Sequence, residues 1–171
     1  MSTFIGNIEA RVDEKGRIFV PAGYRKILAE MNSKRIVMRR DTDNACLMFY
    51  PEQVWDEKVS ALRNALDEWD PEDQLLLMQF MSDAEFLEPD NQGRILLQKK
   101  NLECLSDSEG VTVSGERLAV SGKKADSGNG LVFVGMYDRF ALWQPEVFAA
   151  KKLEQKELAT RLRAKMKDYR L

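Results

Sequence analysis

Histidine is absent from this 171-residue chain. Its absence removes the commonest general base, the usual partner of a nucleophilic serine or cysteine, and the commonest transition-metal ligand. Most hydrolase and metalloenzyme readings fall with it, and no cofactor is expected. Cysteine is almost as scarce. Cys46 and Cys104 are too few for a secreted disulfide framework and are not spaced as a zinc knuckle; both are expected to be buried small hydrophobes. No apolar run reaches the roughly 18 residues that span a bilayer. The opening residues, MSTFIGNIEAR, lack the basic segment and apolar core of a secretory leader. The expectation is a cytoplasmic protein with no membrane partner. Nor is there an excess of positive charge: the net charge of −2 argues against a chain that simply coats nucleic acid.

What is present is a composition of 44% hydrophobic and 32% charged residues, that of a soluble globular protein with a highly charged surface. The length permits one ordinary domain or two very small ones. The charge is unevenly placed. Residues 1–50 carry nine basic and six acidic side chains, residues 51–110 five and fifteen, residues 111–150 four and four, and residues 151–171 eight and three. Two basic ends flank an acidic middle, so an anionic partner can still meet a locally positive face.

A repeat organises the chain. Val12-Asp13-Glu14-Lys15-Gly16-Arg17-Ile18-Phe19-Val20 matches Pro89-Asp90-Asn91-Gln92-Gly93-Arg94-Ile95-Leu96-Leu97, 77 positions later, and Leu28 answers to Leu105 in the same register. Leu47-Met48-Phe49-Tyr50-Pro51-Glu52 then resembles Ala141-Leu142-Trp143-Gln144-Pro145-Glu146 at an offset of 94, which implies an insertion of about 17 residues in the second copy. The Gly-, Ser- and Lys-rich stretch 114–130 is its expected site, read as a flexible loop.

Within a copy, Ile8, Ala10 and Val12 alternate with Glu9 and Arg11 as a half-buried strand, and Ile18-Phe19-Val20 begins the partner strand of a hairpin. Pro21 sits where a short helix can begin, with Tyr24, Ile27 and Leu28 on one face. Ile36-Val37-Met38 and Cys46-Leu47-Met48-Phe49 are strand-like around the turn chemistry of Asp41-Thr42-Asp43-Asn44. Pro51 opens a helix with Val54, Trp55, Val59, Leu62 and Leu66 at helical spacing. Asp70 and Pro71 cap and start another, whose body is Leu75, Leu76, Met78, Phe80 and Met81. Leu158, Leu162, Met166 and Tyr169 form a stripe on a basic tail.

The Asp-x-x-Gly-Arg turn has a physical logic: Asp accepts backbone N–H bonds, Gly supplies a positive-φ position, and Arg folds back onto the carboxylate. Taken alone, Asp13 to Arg17 and Asp90 to Arg94 can be two well-made turns and nothing more. In tandem, and together with Pro21-Ala22, Tyr24-Arg25, Phe49-Tyr50-Pro51, Trp55 and Trp143-Gln144-Pro145-Glu146, the sequence resembles the MraZ family over nearly all of residues 4–150. Members of that family carry a DxxxR signature in each of two SpoVT-AbrB (AbrB/MazE-like) swapped-hairpin domains. The resemblance implies an α+β, mainly β fold of two tandem swapped-hairpin β-barrel units with pseudo-twofold symmetry, each followed by helix. Their expected extents are 4–51 and 82–147, with a helical connector at 52–81 and a basic C-terminal helix at 148–171. It also implies a ring-like homo-oligomer and transcriptional regulation through double-stranded DNA, at promoter direct repeats of the division and cell-wall gene cluster, hence a nucleoid-associated protein. Departures from the family pattern are Gln98 in the place of Pro21, Ile5 where a basic residue is common, the missing Lys beside Gly93, and the 114–130 insertion.

Carried over from the family's motif, Arg17 is the expected DNA contact, with Arg11 and Lys15 beside it and Asp13 orienting it. Gly16 serves the turn, and Asp90, Gly93 and Arg94 form the second copy of the motif. Arg11 can equally belong to a solvated strand face, and the basic tail can be either a packing helix or a phosphate-binding arm. Two other functions fit parts of the pattern. A MazE-like antitoxin usually has one copy and an acidic tail, and a purely structural ring would bind no DNA.

Overall fold

The computed structural model describes residues 2–106 and 130–166. The stretch expected to hold the insertion, apart from Gly130, and Tyr169 of the tail stripe lie outside them. The first copy runs β1 (Asn7–Arg11), β2 (Arg17–Phe19), α1 (Ala22–Glu30), β3 (Ile36–Arg40) and β4 (Leu47–Pro51), followed by α2 (Glu52–Ala65) and α3 (Pro71–Ser82). The second runs β5 (Ala84–Leu87), β6 (Arg94–Leu96), α4 (Lys99–Ser106), β7 (Gly130–Gly135) and β8 (Phe140–Trp143), followed by α5 (Pro145–Lys151) and α6 (Gln155–Lys165). Local chemistry explains the helix starts. Pro51 and Gln144 are the extended N-cap residues of α2 and α5, and the Asp70 side chain accepts the Glu72 N–H at the start of α3, where Pro71 needs no amide partner.

The strands do not stay within their copies. Six form one antiparallel sheet in the order β1-β7-β8-β4-β3-β5, and β2 pairs with β6 in a separate two-stranded ribbon. Exchanging the two halves reverses this order onto itself, so the architecture is pseudo-twofold symmetric. The expected barrels are not formed. β2 and β6 leave the sheet to pair with each other, which leaves β1 and β5 as open edges. The hairpin expected between β1 and β2 is likewise reduced to its tip, held by a single bridge between Val12 and Ile18.

The pairing also corrects the register of the repeat. Ala10 faces Leu131 and its counterpart Leu87 faces Ile36, so Ile36 corresponds to Leu131, 95 positions on. Val37 faces Tyr50 and its counterpart Val132 faces Trp143, so Tyr50 corresponds to Trp143, at an offset of 93, not 94. The loop between β3 and β4 is therefore two residues longer than the loop between β7 and β8. Burial agrees: Leu47, Phe49, Phe140 and Leu142 all point to one side of the sheet, and Met48, Tyr50, Ala141 and Trp143 to the other. A slip of one residue would have put Leu47 in the class of Ala141, on the wrong face. Matching proline to proline caused it, for Pro51 caps its helix from outside whereas Pro145 is the first residue within.

Two apolar layers result. On the inner face, Phe49, Phe133 and Phe140 pack with Phe4 and Tyr24 beneath the ribbon residues Ile18, Val20, Ile95 and Leu97. On the outer face, Tyr50 and Trp143 are covered by Trp55 of α2 and Phe148 of α5, with Phe80 stacked on Trp55. Cys46 is buried there as expected, and burial pushes its thiol up to about 12; Cys104 is half-buried.

Candidate nucleic-acid interface

The two signature turns are built alike. Asp13 Oδ1 accepts the N–H groups of Lys15 and Arg17, both at 2.9 Å, and Oδ2 accepts the Nε–H of Arg17 at 2.8 Å. Asp90 does the same for Gln92 and Arg94, at 2.9, 2.9 and 2.8 Å. Each carboxyl is held below its ordinary value, first by the backbone N–H of the motif arginine, which burial opposes, and further by the arginine side chain and the N–H of Lys15 or Gln92. Because the Asp binds Nε, the pair does not use the two terminal nitrogens of Arg17, a two-pronged donor. An arginine whose long side chain is already ordered loses less freedom when it meets an anion.

Gly16 and Gly93 close the turns with φ of +83° and +81°. They also stitch the halves together: Leu97 N–H donates to Gly16 O at 2.8 Å, and Val20 N–H donates to Gly93 O at 2.9 Å. Gly16 is therefore buried against the opposite half, while Asp13, Glu14 and Lys15 around it stay exposed.

The sequence assigned Arg17 and Arg94 to two separate hairpins, and the structure puts them on one surface. In the ribbon, Arg17 stands opposite Leu96 and Phe19 opposite Arg94. Ile18 and Ile95 point into the core, so by strand alternation Arg17, Phe19, Arg94 and Leu96 share the outer face. Phe19 and Leu96 are 53% and 56% exposed, and the Arg94 guanidinium lies 5.9 Å from the Phe19 ring centre. Phe19 and Leu96 were not singled out from sequence. The period of two in Arg-Ile-Phe-Val and Arg-Ile-Leu-Leu carried that signal, since the outward positions alternate with core ones.

The two ends of this surface differ in charge. Arg11, exposed at the end of β1, corresponds to Glu88, and Lys15 corresponds to Gln92. The first copy thus supplies the more basic tip. Arg25 is committed to structure, its Nε donating to Val20 O at 3.1 Å, and Arg40 donates across the halves to Lys100 O at 2.9 Å. Among the described residues no group of three or more Cys, Asp or Glu side chains could hold a metal ion, and no helix is long and apolar enough to cross a membrane.

The family model of MraZ protein, described as antitoxin-like, matches residues 3–77. A protein of Bacteroides fragilis named transcriptional regulator MraZ is 34% identical over 170 residues, covering 99% of this chain and 95% of its own length. The chain belongs to the MraZ family. The same name is borne by a Bacteroides thetaiotaomicron protein, 47% identical over 103 residues that make up 60% of this chain and 66% of that protein. A Haemophilus influenzae relative of that name is 31% identical over 140 residues, 82% of this chain and 79% of its own. The match to the B. fragilis member spans the residues of both signature turns and both halves of the sheet.

Proposed function

We propose that the chain is a sequence-specific transcriptional regulator that binds double-stranded DNA through the outer face of its β2–β6 ribbon. Its targets would be direct repeats in the promoter of the division and cell-wall gene cluster, and it would work in the cytoplasm, on the nucleoid, as a ring-like homo-oligomer. The observation that carries this reading is the pair of Asp-oriented arginines on one exposed ribbon. The relatives' shared name, transcriptional regulator, supports the function, and the exchange of β1 and β5 between halves supports the swapped-hairpin kinship. No catalytic step belongs to this reading.

The chemistry follows from the geometry. The major groove, about 12 Å wide, admits a two-stranded ribbon, and an arginine fork on guanine O6 and N7 discriminates by about 1 to 3 kcal/mol. Arg17 and Arg94 present such forks, Phe19 and Leu96 offer apolar contact to thymine methyls, and Arg11 and Lys15 sit where phosphates of one strand would pass. A few such contacts bind weakly and lose affinity in salt. Several ribbons on one assembly raise the effective concentration, which suits repeated boxes whose spacing matches the particle.

The direct test is titration of the purified protein against the duplex upstream of its own gene, with unrelated duplex as competitor at fixed salt. The reading expects a preference of at least about a thousandfold. Equal affinity for both duplexes would remove the sequence-specific part, and no binding to either would leave a purely structural assembly.

A further inference from the structure

Two helices, α3 and α6, have apolar surface that none of the described residues covers. α3 buries no residue, yet it is apolar almost all round: Leu75, Leu76, Met78 and Met81 are 61%, 57%, 62% and 40% exposed, and Trp69 just before it is 88% exposed. A helix with that pattern belongs in an interior. α6 also buries nothing, and Leu158, Leu162 and Met166 form one exposed stripe at a spacing of four residues. α3 follows the first half as α6 follows the second, so the two occupy corresponding places in the repeat.

Their charges are opposite. Residues 66–83 hold six acidic side chains and no basic one, whereas residues 152–166 hold five basic and two acidic. Among the described residues none of the six acids is in an ion pair, and in α6 the only pair is Arg161 with Glu157. The acids Glu72 and Asp73 sit in the first turn of α3, and the cations Arg163 and Lys165 in the last turn of α6. Antiparallel packing would bring these ends together, with helix dipoles that also attract.

We infer that α3 of one copy packs against α6 of the next, antiparallel, with Leu75 and Met78 set against Leu158, Leu162 and Met166. The occupant of each face is thus a second copy of this chain, and the contact is heterologous. Such a contact repeats head to tail, and it generates a ring where the rotation closes. The inference rests on the self-association proposed above and deepens it by naming the two surfaces. It also assigns the basic tail to assembly and not to phosphate.

The experiment uses two full-length variants, Leu75→Asp with Met78→Asp on α3, and Leu158→Asp with Leu162→Asp on α6, with particle mass measured by native mass spectrometry. All four positions are exposed, so the copies should fold. The expected result is an assembled wild type, two variants that each run at the 19.6 kDa of one chain, and a one-to-one dimer when they are mixed. The dimer forms because the intact α6 of one meets the intact α3 of the other, and it cannot extend; its appearance also proves both variants folded. If either variant alone keeps the wild-type mass, or dimerises with itself, the named contact is wrong while self-association stands. A wild type found only as single chains would instead overturn the assembly itself.

Discussion

Gly16 and Gly93 occupy equivalent turns at nearly equal φ, but an alanine would meet different neighbours at each. At Gly16 the added Cβ would lie 2.6 Å from the backbone oxygen of Leu97, part of the strand that donates to Gly16 O. At Gly93 it would meet the flexible side chain of Arg25, whose Cδ lies 2.5 Å from the Cβ position. The left-handed conformation costs either alanine about 1 to 2 kcal/mol. Gly16→Ala must in addition push the halves apart and weaken the Leu97 N–H bond, a further ~1 to 1.5 kcal/mol. Gly93→Ala requires that the exposed side chain of Arg25 swing out and give up its long, part-buried bond to Val20 O, about 0.5 kcal/mol. The expected losses are about 3 kcal/mol for Gly16→Ala and about 2 kcal/mol for Gly93→Ala. In a chain of this size they correspond to falls in melting temperature of about 9 °C and about 6 °C. Thermal unfolding followed by circular dichroism at one protein concentration reads both. Equal falls, or a larger one at Gly93, would refute the interlocked ribbon.

The buried thiol and the paired carboxylates make the remaining predictions. Cys46 has a folded value of about 12 against 9.0 for an ordinary thiol, so its stabilising contribution is whole below pH 9 and is lost as pH rises toward 12, by up to about 4 kcal/mol. Urea midpoints should fall over that window in the wild type and much less in Cys46→Ala; an equal fall in both would contradict the burial. The Asp13 and Asp90 carboxyls lie below the ordinary 3.8, so the order they give the turns is present above that pH and is lost only as pH falls through the depressed values. The amide signals of Lys15, Arg17, Gln92 and Arg94 should hold still down to pH 4 and move below it, and movement centred above pH 4 would be the wrong result.

Much of this fold can be read locally. The alternation around Ile18, the proline-marked helix starts and the Asp70 cap are decided by neighbours within a few positions, so each element fell where the residues put it. Strand partnership is another matter. Ala10 and Leu131, or Ile18 and Ile95, are matched by no local signal, because both halves offer similar strands and the choice between pairing at home and pairing across is made by the packing of the whole. The same holds for the one-residue register of β8, which a conspicuous proline obscured. At the candidate site the Asp–Arg pairs were legible because they lie four residues apart in one turn. Their shared surface was not, because it exists only once β2 pairs with β6. The apolar body of α3 was recognised as helical, but a single chain's pattern does not say whose surface it covers.

The central claim is that Asp13 holds Arg17 ready on an exposed ribbon to grip DNA, and one titration tests it: wild type and Arg17→Ala, of equal particle mass, against the duplex upstream of the gene at several salt concentrations. The account predicts roughly 10- to 100-fold weaker binding for the variant at each ribbon engaged, with relaxed preference for that duplex over unrelated DNA. Unchanged affinity with an unchanged salt slope would show that the arginine only shapes its turn.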